Sequence, residues 1–211
     1  ENVFYIGSIG VSESVVVTWI IMAVFLLAAI LLTRNLKVEN PGRGQLLLEF
    51  AVTWLQGIGD GIIGEEGKEY GAYLTSVLMY LGVANLIGML GFKPPTKDLN
   101  VTAALALMSI VLIEFAGIRK KGIRGWLKSF TQPIAIVTPI NILEVFVKPL
   151  SLCMRLFGNV LGAFVIMKLI ECILPVGLPV VFSAYFDLFD GLIQAYVFVF
   201  LTGLFIKEAI E

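Results

Sequence analysis

The chain has no histidine and only two cysteines, and just 15% of its 211 residues are charged. Without imidazole there is no histidine-based metal site and no Ser-His or Cys-His catalysis. Cys153 and Cys172 are expected on one helix, about 28 Å apart at about 1.5 Å per residue, too far for a disulfide. Both read as small apolar residues, silent about redox compartment. A net charge of −1 gives no sign of a nucleic-acid partner. No P-loop or other phosphate-cradling glycine loop occurs, so no ATP site and no cofactor is expected in this chain. No internal repeat suggests an inverted-repeat transporter. Glu1 stands first instead of Met, so the amino terminus is expected to be processed or incomplete. The first apolar run is too long for a signal-peptide core.

What is present is apolar surface. Hydrophobic residues make up 58% of the chain and mean hydropathy is +0.94, so the chain must sit in lipid. Residues 1–13 are mixed and are placed in or near the membrane interface. Residues 14–33 carry no charge and are long enough to cross as one helix. After Pro41-Gly42, Leu46, Leu47, Phe50, Trp54, Leu55 and Ile58 recur at helical spacing beside Gln45, Glu49, Gln56 and Asp60. Residues 43–63 therefore suit a helix lying along the membrane surface.

Residues 70–92 form a second span, interrupted by Asn85, and residues 93–100 a polar turn. Residues 101–118 form the third span, and residues 119–128 a basic membrane-surface loop. A long helix is expected over 141–173, with Pro149 able to kink it, and a last span over 180–206. Arg34, Lys37, Arg43, the 119–128 cluster and Lys207 fall on one side, and only Lys93 and Lys97 on the other. The positive-inside rule then places the amino terminus outside and the carboxyl terminus in the cytoplasm. The fold class is an all-α membrane protein of about five spans plus a surface amphipathic helix. Residues 1–69 are expected to form an amino-terminal part, a span and an interfacial helix, and residues 70–211 a second membrane part.

The charges inside the spans are the candidate chemistry. At about 100° per residue, Arg155 shares a stripe with Glu144, Lys148, Ser151, Asn159, Gly162 and Ile166, and Gly158 borders it. That outer half is thin enough for another helix to approach, and Glu144 can pair with Lys148. An intramembrane arginine costs at least a few kcal/mol on insertion scales, so it needs a partner. On the last span Ser183, Asp187, Asp190 and Gln194 share a stripe, as on a water-lined ion path. An antiparallel pair of helices would bring Gln194 near the depth of Arg155. Arg155 therefore either neutralises Asp190 in a structural pair or serves ion movement. Asn85 is either an interhelix hydrogen bond or a path residue. Lys168 and Glu171, near a helix end, read as snorkelling side chains.

Lys148-Pro-Leu-Ser-Leu-Cys-Met-Arg155-Leu-Phe-Gly-Asn159 closely resembles the signature helix of subunit a of F-type ATP synthases. Pro95-Thr-Lys-Asp98-Leu-Asn100-Val-Thr-Ala-Ala-Leu-Ala-Leu, Asn141-Ile-Leu-Glu144 and Leu192-Ile-Gln194-Ala-Tyr-Val-Phe agree with it in order. The likeness runs from about residue 70 to the carboxyl terminus.

The resemblance implies a stator with two offset half-channels facing a ring of c subunits, each carrying an ion-binding carboxylate. It implies as partners that c-ring, the b-subunit peripheral stalk and the rest of the complex, in a bacterial plasma membrane. Arg155 matches the family's obligatory arginine, Gln194 the glutamine facing it, and Asn159 the asparagine one turn beyond. Asn85 matches a polar position of the outer half-channel, and Glu144 an acid near the inner opening. Two positions depart from the family. Phe164 stands where many members carry Glu or His, and Asp187 where others carry His, so Asp187 and Asp190 are expected to carry the outer path. Whether the ion is H+ or Na+ is left open. The rival readings are a stand-alone channel or secondary transporter, and a structural membrane scaffold.

Overall fold

The computed structural model describes residues 2–6, 9–34, 36, 42–90, 94–130, 136, 138–173, 182 and 184–210. Two short antiparallel strands, β1 (Asn2–Ile6) and β2 (Ile9–Ser12), precede a helical protein. They occupy the stretch read from sequence only as mixed, and their Val, Phe, Tyr and Ile content suits strands. The helices are α1 (Glu13–Thr33), α2 (Arg43–Ile63), α3 (Gly71–Leu86), α4 (Leu99–Ser129), α5 (Thr138–Ile173) and α6 (Gly191–Ile210).

Five segments are long and apolar enough to cross a membrane: α1, α2, α4, α5 and residues 188–210. α3 is shorter, but a 3-10 turn, Ile87–Leu90, extends it. It also runs antiparallel to α6 along most of that helix. An added Cβ at Gly203 would lie 3.0 Å from Leu74 Cδ1, and Asn85 Nδ2 donates to the Gly191 carbonyl at the other end. α3 therefore crosses the same thickness as α6. α2 buries only Gly59 and Ile63, near its carboxyl end, and leaves Leu46, Leu47, Phe50 and Trp54 exposed. The chain is an integral, multi-pass, all-helical membrane protein apart from the small hairpin.

The core lies among α3, α4 and α6. Leu74, Leu81, Ile113, Phe198, Val199 and Ile206 are at most 2% exposed, joined from α5 by Leu152 and Leu156. Half of the apolar window of α4 is buried and 44% of that of residues 188–210, against 6% for α5 and 11% for α1. α4 and α6 thus form the scaffold, and α1 and α5 are outriggers. α1 touches α3 through Val17 and Ile21 against Ala84, and Thr18 Oγ1 shares a 3.1 Å hydrogen bond with the Tyr80 hydroxyl.

One sequence expectation needs correction, and two are refined by the structure. Residues 119–128 are not a loop: the helix continues to Gly122, whose φ of 72° breaks it, and resumes to Ser129. Arginine and lysine are good helix formers, and only glycine takes that positive φ without strain. The returning turn packs on α4, with Trp126 Nε1 donating to Glu114 Oε2 at 2.7 Å. The 93–100 turn contains a 3-10 turn, Pro95–Lys97, in which Pro95 and Thr96 are buried. Asp98 then caps α4 by accepting from the Asn100 N–H at 3.0 Å, and its other oxygen accepts from Ser12 Oγ at 2.9 Å. Third, the last span opens with a π turn, Ala184–Asp190, in place of α-helix.

Candidate functional site

α5 leans on α4 through one stripe and presents another. Leu152, Cys153 and Leu156 are buried, and Cys153 Sγ lies 3.6 Å from Thr102 Oγ1. Both cysteines are free. Ser151, Arg155, Gly158 and Asn159 are exposed. A Cβ added at Gly158 or Gly162 would meet nothing within 4 Å, so the thin face opens away from this chain's own helices. Among the described residues the Arg155 guanidinium makes no hydrogen bond or ion pair, and none joins it to Asp190.

α5 and α6 run antiparallel. Lys148 meets Glu208 at 3.1 Å, and Asn159 meets Gln194 at 2.6 Å, so contacts climb α5 as they descend α6. The direct partner of Gln194 is therefore Asn159, one turn beyond Arg155. By helical count Asn159 sits about 20° from Leu152 and about 40° from Arg155. It stands at the seam between packed and open stripes, which lets its amide reach α6. Gln194 is 3% exposed; its Oε1 accepts from Asn159 Nδ2, and its Nε2 has no partner among the described residues.

The opposite ends of the site differ in character. Toward the carboxyl end of α6, Lys148 bridges Glu144 at 3.6 Å and Glu208 at 3.1 Å, and its Nζ stands 5.2 Å from the Phe205 ring. Glu144, Lys148 and Glu208, with Glu114, Lys121 and Trp126, line a cleft of about 270 Å³. That is room for several waters among ample polar partners. Toward the amino end of α6, Asn85 is buried and uses both halves of its amide. Nδ2 donates to the Gly191 carbonyl at 2.8 Å, and Oδ1 accepts from Thr96 Oγ1 at 2.9 Å.

Asp190 is half-buried at the end of the π turn. Ser183 and the side chain of Asp187 lie outside the described residues. The 100° count that aligned both with Gln194 assumed an α-helix, and the i→i+5 bonding of the π turn alters that alignment. Phe164 is exposed, with Lys97 Nζ 4.3 Å above its ring and Lys168 at 5.9 Å; Lys168 pairs with Glu171 at 2.7 Å.

Sequence reasoning missed Glu208 as the second partner of Lys148, and the Glu114–Trp126 bond. Glu208 lies one helical turn beyond Leu204 in the last apolar run, a position that by itself signals only a helix end. Trp126 reaches Glu114 only because Gly122 turns the chain back. Among the described residues no group of three or more His, Cys, Asp or Glu side chains is placed to hold a metal.

The family model described as ATP synthase A chain matches residues 15–207. A protein called ATP synthase subunit a from Moorella thermoacetica is 38% identical, over all of this chain and 96% of its own length. One called ATP synthase subunit a 2 from a Bradyrhizobium strain is 36% identical, over 98% of this chain and 92% of its own. Another, called ATP synthase subunit a 2, from Acaryochloris marina is 32% identical, over 96% and 87% respectively.

Proposed function

Since the chain belongs to the ATP synthase A chain family, we propose that it is the ion-translocating stator subunit of a rotary F-type ATP synthase. The observation that carries this reading is Arg155. It sits on an exposed, thin stripe of the least buried long helix, with no counter-ion among the described residues. Its partner belongs on another polypeptide: the ion-binding carboxylate of each c subunit as the ring turns past α5. A fixed guanidinium in a poorly polarisable site favours the ionised, unloaded carboxylate, so each carboxylate sheds its ion on approach. The same charge repels a free cation and keeps the two half-channels from short-circuiting.

The polar groups at the two ends supply the half-channels. Glu144, with Lys148 and Glu208, lines the cleft, roomy enough for several waters, at the end assigned to the cytoplasm. Asp190 and Asp187 on the π turn serve the outer path, because Phe164 has no group that can relay a proton. Asn85 fixes the outer ends of α3 and α6 against each other, and Ser151 lies one turn inward of Arg155. Residues 70–211 form the translocating part; residues 1–69 anchor it, α2 lying along the inner surface. The amino terminus is outside and the carboxyl terminus in the cytoplasm of a bacterial plasma membrane. The b-subunit stalk holds the chain still, and ATP chemistry belongs to other subunits.

The test is Arg155→Ala in the assembled enzyme. ATP-driven ion pumping into inverted vesicles is abolished on this reading, and coupled pumping at the wild-type rate overturns it. ATP hydrolysis measured against Na+ concentration at fixed pH then separates H+ from Na+.

A further inference from the structure

Beyond Gly122 the chain turns back instead of running on away from the bundle. Trp126 Nε1 donates to Glu114 at 2.7 Å, and its Cδ1 would stand 3.5 Å from a Cβ on Gly117. Phe130 meets the indole edge-on, with ring centroids 4.8 Å apart. The turns after Gly122 are thus seated beside residues 114–117, at the end of the apolar run of α4. With Trp126 directed inward, Ile123, Arg124, Leu127 and Lys128 are exposed, Ile123 to 66% and Leu127 to 57%. At about 100° per residue the four fall within about 140° of the helix surface, two apolar side chains beside two basic ones. The apolar side continues along α4. There Leu107, Val111 and Phe115 are exposed at four-residue intervals over about 12 Å, and Arg119 takes the next place.

We propose that this turned-back end of α4 binds an anionic phospholipid. Arg124 and Lys128 take its phosphate, and its acyl chains lie on Ile123, Leu127 and the exposed apolar residues of α4. Charge decides the class of lipid. A zwitterionic head brings its own cation to the two basic side chains, whereas an anionic head leaves its whole charge for them. The exposed isoleucine and leucine decide against free phosphate. Beside a cation they offer apolar contact that only a lipid can use, the pattern of a helix lying in a membrane interface. Basic residues after a span also set its orientation, but that effect depends on their number, not on the face they share with apolar residues. The site does not rest on the stator reading; it needs only that α4 crosses the membrane.

The experiment uses the full chain in lipid vesicles, with Trp19→Phe and Trp54→Phe so that emission comes from Trp126 alone. Quenching by brominated phosphatidylglycerol is compared with quenching by brominated phosphatidylcholine at equal mole fraction. Trp126 lies two residues from each basic side chain, so it reads the lipid they hold. The anionic lipid is expected to quench at a lower mole fraction, since a basic residue at a charged surface changes association by up to about fivefold. Arg124→Gln with Lys128→Gln abolishes that preference. Salt at about 1 M, where the Debye length is about 3 Å, abolishes it as well. Lys97→Gln with Lys168→Gln removes as much charge at the other end of α4 and α5 and leaves the preference intact. Inorganic phosphate at millimolar concentration does not relieve the quenching. Equal quenching by the two lipids overturns the proposal and leaves this face to a protein partner, as does a preference that survives the Arg124 and Lys128 substitutions or the salt. A preference lost equally with the Lys97 and Lys168 pair reports net charge alone and also overturns it. Relief by phosphate overturns the lipid as occupant.

Discussion

Replacing Asn85 with leucine tests whether the outer end of the bundle is held by the two bonds of one amide. Leucine is close to asparagine in length and apolar, so it keeps the site filled while removing a donor to Gly191 and an acceptor from Thr96. Interhelical hydrogen bonds in membrane proteins average about 0.6 kcal/mol and reach about 1.7, because the unfolded chain in lipid also finds partners. Two of them give about 1–3 kcal/mol. Thr96 is fully buried and loses its acceptor, which places the loss in the upper half of that range. Asn85→Asp is the informative companion. Its carboxyl still accepts from Thr96 but faces the Gly191 carbonyl with oxygen, so it must take up a proton to donate. The Asp variant should therefore regain stability as pH falls, and the Leu variant should not. Denaturation of the purified subunit in mixed micelles, followed by helical circular dichroism, measures both. A Leu variant as stable as the parent, or an Asp variant indifferent to pH, would refute the assignment of Asn85 as the link between α3, α6 and the 95–97 turn.

Gly203→Ala should loosen the seat of α2, because the new Cβ would stand 2.6 Å from Ile62 Cγ2 and 3.0 Å from Leu74 Cδ1. A cost of about 1–3 kcal/mol is expected, read as faster hydrogen exchange near the carboxyl end of α2. Gly122→Ala puts a side chain at a φ of 72° and should cost about 1–2 kcal/mol. Its signature is a red shift of Trp126 emission as the bond to Glu114 opens, in a variant lacking Trp19 and Trp54. Lys148→Met should change stability by less than about 1 kcal/mol, since Glu144 and Glu208 are about half-exposed and such pairs are worth little. A larger loss would mean that the Lys148 bridge, not apolar packing, sets the α5–α6 contact.

The fold was legible wherever a single period governs. Twenty uncharged residues, or an arginine in an apolar run, state their environment without help from neighbours, so the spans and the signature helix followed from the residues. Asp98 and Pro149 behaved less simply. Asp98 is a helix cap and also a hydrogen-bond acceptor for Ser12, and Pro149 lies inside a helix that continues through it. What stayed hidden depends on where the chain turns. Gly122 looks like any glycine in a basic stretch, yet its positive φ brings Trp126 to Glu114. The π turn over 184–190 carries no composition that sets it apart from the α-helix after it. It nonetheless changes which side chains share a face with Gln194.

The same distinction explains the placement of the site. Helical counting put Arg155 and Asn159 on one stripe, and that stripe exists, but the two residues have different surroundings. Leu152 and Leu156 fix the buried side of α5; Asn159, about 20° from Leu152, is drawn inward to Gln194. Arg155, about 60° from Leu152 on the open side, stays outside. A helix packed more deeply would bury the arginine against its own chain. A helix packed less deeply would part Asn159 from Gln194. The shallow seating of α5, 6% of its apolar window buried against 44% for residues 188–210, meets both demands at once. The guanidinium stays exposed while the Asn159 amide, one turn away, reaches Gln194.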